Sequence, residues 1–467
     1  MSRARDSVAV VGAGLVGPLL AAQLARRGYR VRVYERDPDP RQRRVRMGAS
    51  INLTLSARGM AALDDIGVGD EVRARAAAAV ARVVHLDDGR LHRLPYGESG
   101  EALLSVNRAA LQELLITHAE RRFSVPFAFD HACLDLNPRI PELTFATQPG
   151  RTVRRRPRHV VAADGAFSAV RQRLQRGYGF DYSQSYSRLA YTQIDVPAGE
   201  SGWRTIRDAL HLWPRGDAML LAIPNRDGSF TATLLLPLEG PRSHAELRHD
   251  RDLVALFSDL FPDALECVPA LGRNYRAHRP VPMVTIRCAP WSHSGRVLLV
   301  GDAAHAIFPS YGQGANAGLE DGRLLAECLA ANDDDWPAAA SDFERRRRPH
   351  TDAIAELSHR HLDDLRATMG TTDFLVRHRV ERRLARLYPS AFRPLHAAIS
   401  FTTTPYREAI ARDAAWSPVV NRLCELLAGG GLADEALADD DIRSAVRAAG
   451  LAAGERVADP VPQPAGV

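Results

Sequence analysis

At 467 residues the chain is long for a single hydrophobic core and points to two closely joined domains or one elaborated one. Its 45% hydrophobic and 25% charged residues are ordinary for a globular enzyme and exclude a disordered or fibrous chain. The 61 basic residues face 56 acidic ones for a net charge of +5, and the arginine runs at 154–156 and 345–348 carry no interleaved aromatics, which argues for a balanced surface and against a nucleic-acid partner.

Residues 7–11 read as a buried strand. Residues 15–27 read as a helix with Leu15, Leu19, Ala22 and Leu24 on its apolar face and Gly28 as its stop. A second strand over 29–35 completes a βαβ opening. Alternation around Asp88-Gly89 predicts a hairpin over 86–96. A helix follows over 108–121 and a strand over 159–163. Residues 210–214, 218–224 and 229–237 read as antiparallel strands, 297–301 as another buried strand and 318–329 as a helix. From Trp336 onward nearly everything reads helical. The expected fold is α/β: a Rossmann-like domain over 1–75, 97–180 and 285–335, interleaved with a sheet-rich domain over 76–96 and 181–284. A helical C-terminal part over 336–430 and a short helix with a loose tail over 431–467 follow.

Cys133, Cys267, Cys288, Cys328 and Cys424 are widely and irregularly spaced. They predict reduced, mostly buried thiols in a cytoplasmic protein, with no disulfide framework and no metal site. The first predicted strand leaves no room for a leader, and no apolar run reaches membrane-spanning length, so no membrane anchor is expected.

Three motifs carry chemistry. Gly12-Ala13-Gly14-Leu15-Val16-Gly17 lies between a strand and a helix. Gly12 permits the tight turn, Gly14 lets the backbone approach a pyrophosphate, and Gly17 lets helix and sheet pack closely. Glu35 ends the next strand, where its carboxylate can accept from a ribose hydroxyl. Asp164-Gly165, with Arg171 following, sits after the second buried strand. Taken alone it suits a sharp turn and a helix start. Gly301-Asp302 follows the third, and Asp302 can reach a ribityl hydroxyl. Gly312, Gly314, Ala315 and Asn316 lead into a helix whose N-terminal amides can face an electron-rich ring edge. No second GxGxxG occurs.

In this order and spacing the three motifs resemble the FAD-dependent aromatic hydroxylases, also called class A flavoprotein monooxygenases. The resemblance spans nearly the whole chain. It implies FAD as cofactor, with NADPH (or NADH) and O2 as co-substrates and no separate domain for the nicotinamide nucleotide. It adds Leu15, Val16, Arg36, Leu53, Arg108 and Pro309 to the residues around FAD, and it assigns Asp164 and Arg171 to both nucleotides. Within the family, the stretches 50–56, 94–97, 180–184, 210–215 and 308–316 are similar to the kynurenine 3-monooxygenase branch. That similarity implies hydroxylation of L-kynurenine or a close aryl-amine analogue through a C4a-hydroperoxyflavin, with no side chain serving as nucleophile.

The same resemblance places the substrate carboxylate on Arg82 and Tyr96, a pairing whose bidentate geometry suits a carboxylate. Read without it, Arg82 is a surface charge beside an Ala-rich helix and Tyr96 a core aromatic. Leu221, Ile223, Leu235, Ser310 and Tyr311 are the implied ring contacts. The chain departs from the branch where Leu235 replaces a Phe, where Ser310 stands at an aromatic position, and where His361 and His396 replace an Asn and a Tyr. Were these histidines to bind an anionic group, their protonated forms would be the better ligands, and affinity would weaken as pH rises through about 6.5. A hydroxylase of another aromatic metabolite, or a flavin oxidase or reductase of the same fold, stays open, as does a homodimer.

Overall fold

The structure is a computed structural model that describes residues 6–42, 52–97, 100–200, 202–428 and 438–451. Ser50 and Ile51 of the 50–56 stretch, and much of the expected tail, lie outside those residues. A helix, Asp439–Ala448, falls within the tail.

Six strands form one sheet, in the spatial order Ser292–His293, Val297–Leu299, His159–Ala162, Ser7–Val11, Arg30–Tyr34 and Phe127–Ala128. All pair in parallel except the edge strand Ser292–His293. Val8–Val11, Val160–Ala162 and Val297–Leu299 are buried throughout, as a parallel sheet covered on both faces requires. The helices Val16–Arg26 and Gly314–Ala331 cross closely over the sheet. A Cβ on Gly322 would lie 2.5 Å from a Leu19 methyl, so any larger residue there would force the Leu19 side chain to move.

A second sheet of seven strands runs in the order Val281–Ala289, Asp181–Val196, Phe230–Pro237, Ala218–Pro224, Ala209–Arg215, Ala81–His85 and Leu91–Pro95. Its alternation sorts side chains between two cores. Leu220, Leu234 and Leu236 pack with Trp213 on Leu253, Phe257 and Phe261. Their neighbours Met219 and Leu235 face the other way, onto Leu362, Leu365 and Met369 of the C-terminal part. The hairpin expected over 86–96 forms the sheet edge, bringing residues 81–96 against a sheet otherwise built from 181–289.

The long strand Asp181–Val196 and the helices Asp250–Leu260, Pro262–Cys267 and Leu271–Arg276 had no clear signature, because the first half of that strand is polar and exposed and the helices are short. The Ala-rich segment beside Arg82 is not helical. Ala77–Ala79 pairs with Leu103–Asn107 and Ala81–His85 with Ala209–Arg215, so tertiary pairing overrides alanine's local preference.

All five cysteines are free, but only Cys288 and Cys328 are buried, the others being half-buried. The arginine run at 345–348 is not a uniform solvated face. Helical periodicity on Trp336–Thr368 turns Arg347 inward to 2% exposure. Among the described residues no helix is long and apolar enough to cross a membrane, and no metal-binding cluster occurs.

Candidate active site

The three motifs emerge from the carboxyl ends of adjacent parallel strands, Ser7–Val11, His159–Ala162 and Val297–Leu299. At this edge of an open α/β sheet a dinucleotide is received. Gly12 has φ +103°, and a Cβ there would meet the Ala163 carbonyl oxygen at 2.4 Å; a Cβ on Gly17 would meet the Gly12 oxygen at 1.9 Å. A Cβ on Gly14, by contrast, would meet nothing within 4 Å, so backbone and open space adjoin there as a pyrophosphate needs. The Glu35 carboxylate accepts from the Ala13 and Asp37 amides at 2.6 and 3.0 Å, which holds it beside the glycine loop. Among the described residues Asp164 Oδ1 is buried without a hydrogen-bond partner. Enclosure by protein raises the Asp302 pKa, yet its surface is accessible to solvent, as expected of a carboxyl lining an interior cleft. Open backbone, an unpaired buried carboxylate oxygen and an acid in a cleft form a donor and acceptor set that fits FAD.

Other motif residues divide by role. Arg171 is buried, and its guanidinium donates to the carbonyls of Ala303 at 2.8 Å and Ala166 at 2.5 Å. It therefore staples the second motif to the third. Asn316 is buried and bonds the Thr54 carbonyl, the Gly312 carbonyl and the Ser56 amide, all at 2.8 Å. It fixes the loop around Pro309, Gly312, Gly314 and Ala315 against the strand carrying Leu53. Leu15 is buried and Val16 packs under Gly301. Burial raises the pKa values of Asp302 and Tyr191, and Arg108, exposed at the start of its helix, is close enough to both to oppose that rise. Arg36 is exposed beside Asp37, turned to solvent.

Past the loop lies a second cluster. Tyr311, the residue before Gly312, packs at a tilt on His361 at 4.2 Å and stacks on His396 at 5.7 Å between ring centroids. His396 stacks in turn on Tyr96 at 5.3 Å, and the Arg82 guanidinium stands 5.5 Å from the Tyr96 ring. Residues from a sheet-edge hairpin, the glycine loop and two C-terminal helices thus converge. Among the described residues the Tyr96 hydroxyl and His361 Nε2 are buried with no hydrogen-bond partner, although Arg82 is near enough to draw the phenol pKa down against the burial that raises it. Leu221 and Leu235 join Phe308 in an apolar group adjoining this cluster. Ile223 lies farther along the same strand, paired with Thr231 and outside that group. Ser310 donates to the Ser358 carbonyl, so its hydroxyl proton is committed to the protein. Phe308, Phe401 and His378 were not singled out from sequence. His378 is bonded to the Pro95 backbone, next to Tyr96, and is held down to about 4 by burial and neighbouring arginines.

The model of the family described as FAD binding domain matches residues 5–358. A kynurenine 3-monooxygenase of Salinispora tropica is 42% identical over 437 residues, covering 93% of this chain and 95% of its own. One from Flavobacterium psychrophilum is 41% identical over 413 residues, covering 87% and 91%. The chain belongs to the kynurenine 3-monooxygenase family. It is an FAD-dependent flavoprotein monooxygenase with NADPH (or NADH) as co-substrate. A solved structure of 2-methyl-3-hydroxypyridine-5-carboxylic acid oxygenase in its tetrameric form shares the fold, with a TM-score of 0.65 at 22% identity over 81% of this chain and 96% of that one.

Within this enclosure His361 and His396 favour the neutral form. Burial and the Arg82 charge push His361 down to about 3 and His396 well below its usual range. Protonated histidine ligands are thus disfavoured before any anion binds, because burial and the nearby Arg82 cation both oppose a further charge in the enclosure. KM is therefore expected to stay flat between pH 6 and 8 as far as these residues govern it. Stability behaves otherwise. A histidine neutral when folded gains a proton on unfolding below about pH 6.5, so each pH unit below that costs up to about 1.4 kcal/mol per histidine until its folded pKa is reached. The His361→Asn, His396→Tyr double variant should lose less thermal stability than the parent between pH 6.5 and 5. Equal losses, or a KM that rises through pH 6.5 in the parent alone, would restore the cationic reading.

Proposed function

We propose that the protein hydroxylates the ring of L-kynurenine next to the ring amino group, consuming NADPH (or NADH) and O2 and releasing water. The convergence of Arg82, Tyr96 and His361 beside the glycine loop carries this reading. When bound, FAD supplies the chemistry of O2 activation, with electrons from the nicotinamide nucleotide. The protein's part is placement. Arg82 neutralises the amino-acid carboxylate. The unpartnered Tyr96 hydroxyl and His361 Nε2 gain partners from the polar head, which makes the site selective for a substrate that carries one. Leu221, Leu235 and Phe308 offer the aromatic ring a dry face, and exclusion of water keeps activated oxygen from being lost as H2O2. Tyr311 belongs to both the glycine loop and the polar cluster, so it sets the spacing between ring and cofactor.

Asp302, Glu35 and the backbone at Gly14 are the residues proposed to hold the cofactor, with Asp164 toward the nucleotides and Arg171 acting through its grip on Ala303. Free thiols held protonated by burial suit a reducing compartment, so we place the protein in the cytoplasm. A second reading, hydroxylation of another aryl amine, is supported by His361 and His396 standing where the family resemblance implies an Asn and a Tyr. The test is NADPH oxidation across a panel of aryl amines. L-kynurenine should stimulate oxidation and yield the ring-hydroxylated product, and a larger product yield from a compound lacking the amino-acid carboxylate would overturn the assignment.

A further inference from the structure

Beneath the glycine loop lies a buried polar lattice that the reaction does not explain. Arg58, at 1% exposure, donates to both Glu320 oxygens at 3.1 Å and to the Thr404 carbonyl at 3.0 Å. Arg347 bridges Glu320 at 2.7 Å and Asp321 at 2.6 Å. Asp321 accepts from the Gly301 amide at 2.8 Å and lies 2.7 Å from His305 Nε2, which ties the lattice to the third motif. The guanidinium of Arg58 lies 3.8 Å from the Tyr406 ring centre, and the Tyr406 hydroxyl donates to Gln313 Oε1 at 2.9 Å. Tyr406 is fully buried and opens the helix Tyr406–Ala428, while Gln313 sits inside the glycine loop between Gly312 and Gly314.

We propose that Tyr406 is a positioning residue for the cofactor: through Gln313 it clamps the flavin-facing loop to the C-terminal helices. Two paired charges of each sign make the platform rigid, and the tyrosine is the arm that reaches from it to the loop. The Gln313 side chain has little else to hold it, since its amide donates weakly to the Tyr311 carbonyl at 3.4 Å and Ser56 Oγ is 3.5 Å away, while its backbone carbonyl accepts from Ala317 at 2.8 Å as the helix begins. Asn316 holds this loop to the strand beside Leu53, and Tyr406 holds it to the C-terminal helices, so loss of the hydroxyl loosens that second attachment without disturbing the ion pairs. The proposal is independent of which aromatic compound is hydroxylated.

Tyr406→Phe keeps the ring over Arg58 and removes only the hydroxyl. FAD affinity, read by quenching of flavin fluorescence without aromatic substrate, should weaken about three- to tenfold, the range a single hydrogen bond spans. Amides 312–316 of the flavin-free protein should exchange with deuterium faster than in the parent. Gln313→Met removes the same bond from the other end, so it should match Tyr406→Phe, and the double variant should be no weaker than either. Tyr275→Phe, which breaks a comparable 2.8 Å contact to His244 in the other core, is the control and should bind FAD like the parent. Parental FAD affinity and parental exchange over 312–316 in Tyr406→Phe, or additive losses in the double variant, would overturn the clamp.

Discussion

Arg82→Ala should raise KM for L-kynurenine at least about 30-fold, the lower end of the roughly 2–5 kcal/mol lost when one partner of a desolvated charge pair is removed. The side chain stands over Tyr96 with His361 and His396 pushed down partly by its charge, so it is the one cation aimed at this cluster that both histidines register. Its removal should also let those histidines titrate closer to their ordinary range, visible in their proton resonances. Arg82→Lys should recover only part of the affinity, because an ammonium cannot reproduce two parallel bonds to a carboxylate. Steady-state kinetics at saturating NADPH separates the cases. An unchanged KM in Arg82→Ala would mean that the substrate carboxylate is held elsewhere.

Gly14→Val should give a folded protein that is colourless. The added side chain projects where no protein atom lies within 4 Å, so the fold has no clash to relieve, yet it fills the space the pyrophosphate backbone contact requires. Gly12→Ala should behave in the opposite way. Its Cβ would press on the Ala163 carbonyl at 2.4 Å with φ at +103°, and the strands carrying the first two motifs would have to separate. Melting and visible absorption together distinguish them: Gly14→Val should melt within a few degrees of the flavin-free parent while lacking flavin, whereas Gly12→Ala should lose thermal stability outright. Flavin retained at parental affinity in Gly14→Val would contradict the cradle.

The nucleotide-binding half was legible because its signals are local. A strand, a glycine turn and a helix each leave a mark within a dozen residues, and Gly12, Asp164 and Gly301 duly emerge from neighbouring strands. The alternation of 209–237 was equally readable, since each strand divides its side chains between two cores. The substrate side was not legible from the residues alone. Arg82, Tyr96, Tyr311, His361 and His396 are scattered over more than half the chain, and family resemblance, not spacing, singled them out. What resemblance could not supply was their protonation. Whether a histidine is a cation depends on its burial and on the charge facing it, and both burial and Arg82 act on His361 and His396 only once the chain has folded. Nor could sequence separate Arg347 from Arg345, Arg346 and Arg348. Four consecutive arginines look like one solvated patch until helical geometry turns a single one toward Glu320 and Asp321.

The central claim, that this cluster presents an aromatic amino acid to activated oxygen, is tested most directly by turnover of L-kynurenine under 18O2 with NADPH. The product should be ring-hydroxylated and carry one heavy oxygen, with little H2O2 formed per NADPH consumed. NADPH consumption that ends in H2O2 with kynurenine unaltered, or a product whose new oxygen comes from water, would contradict it.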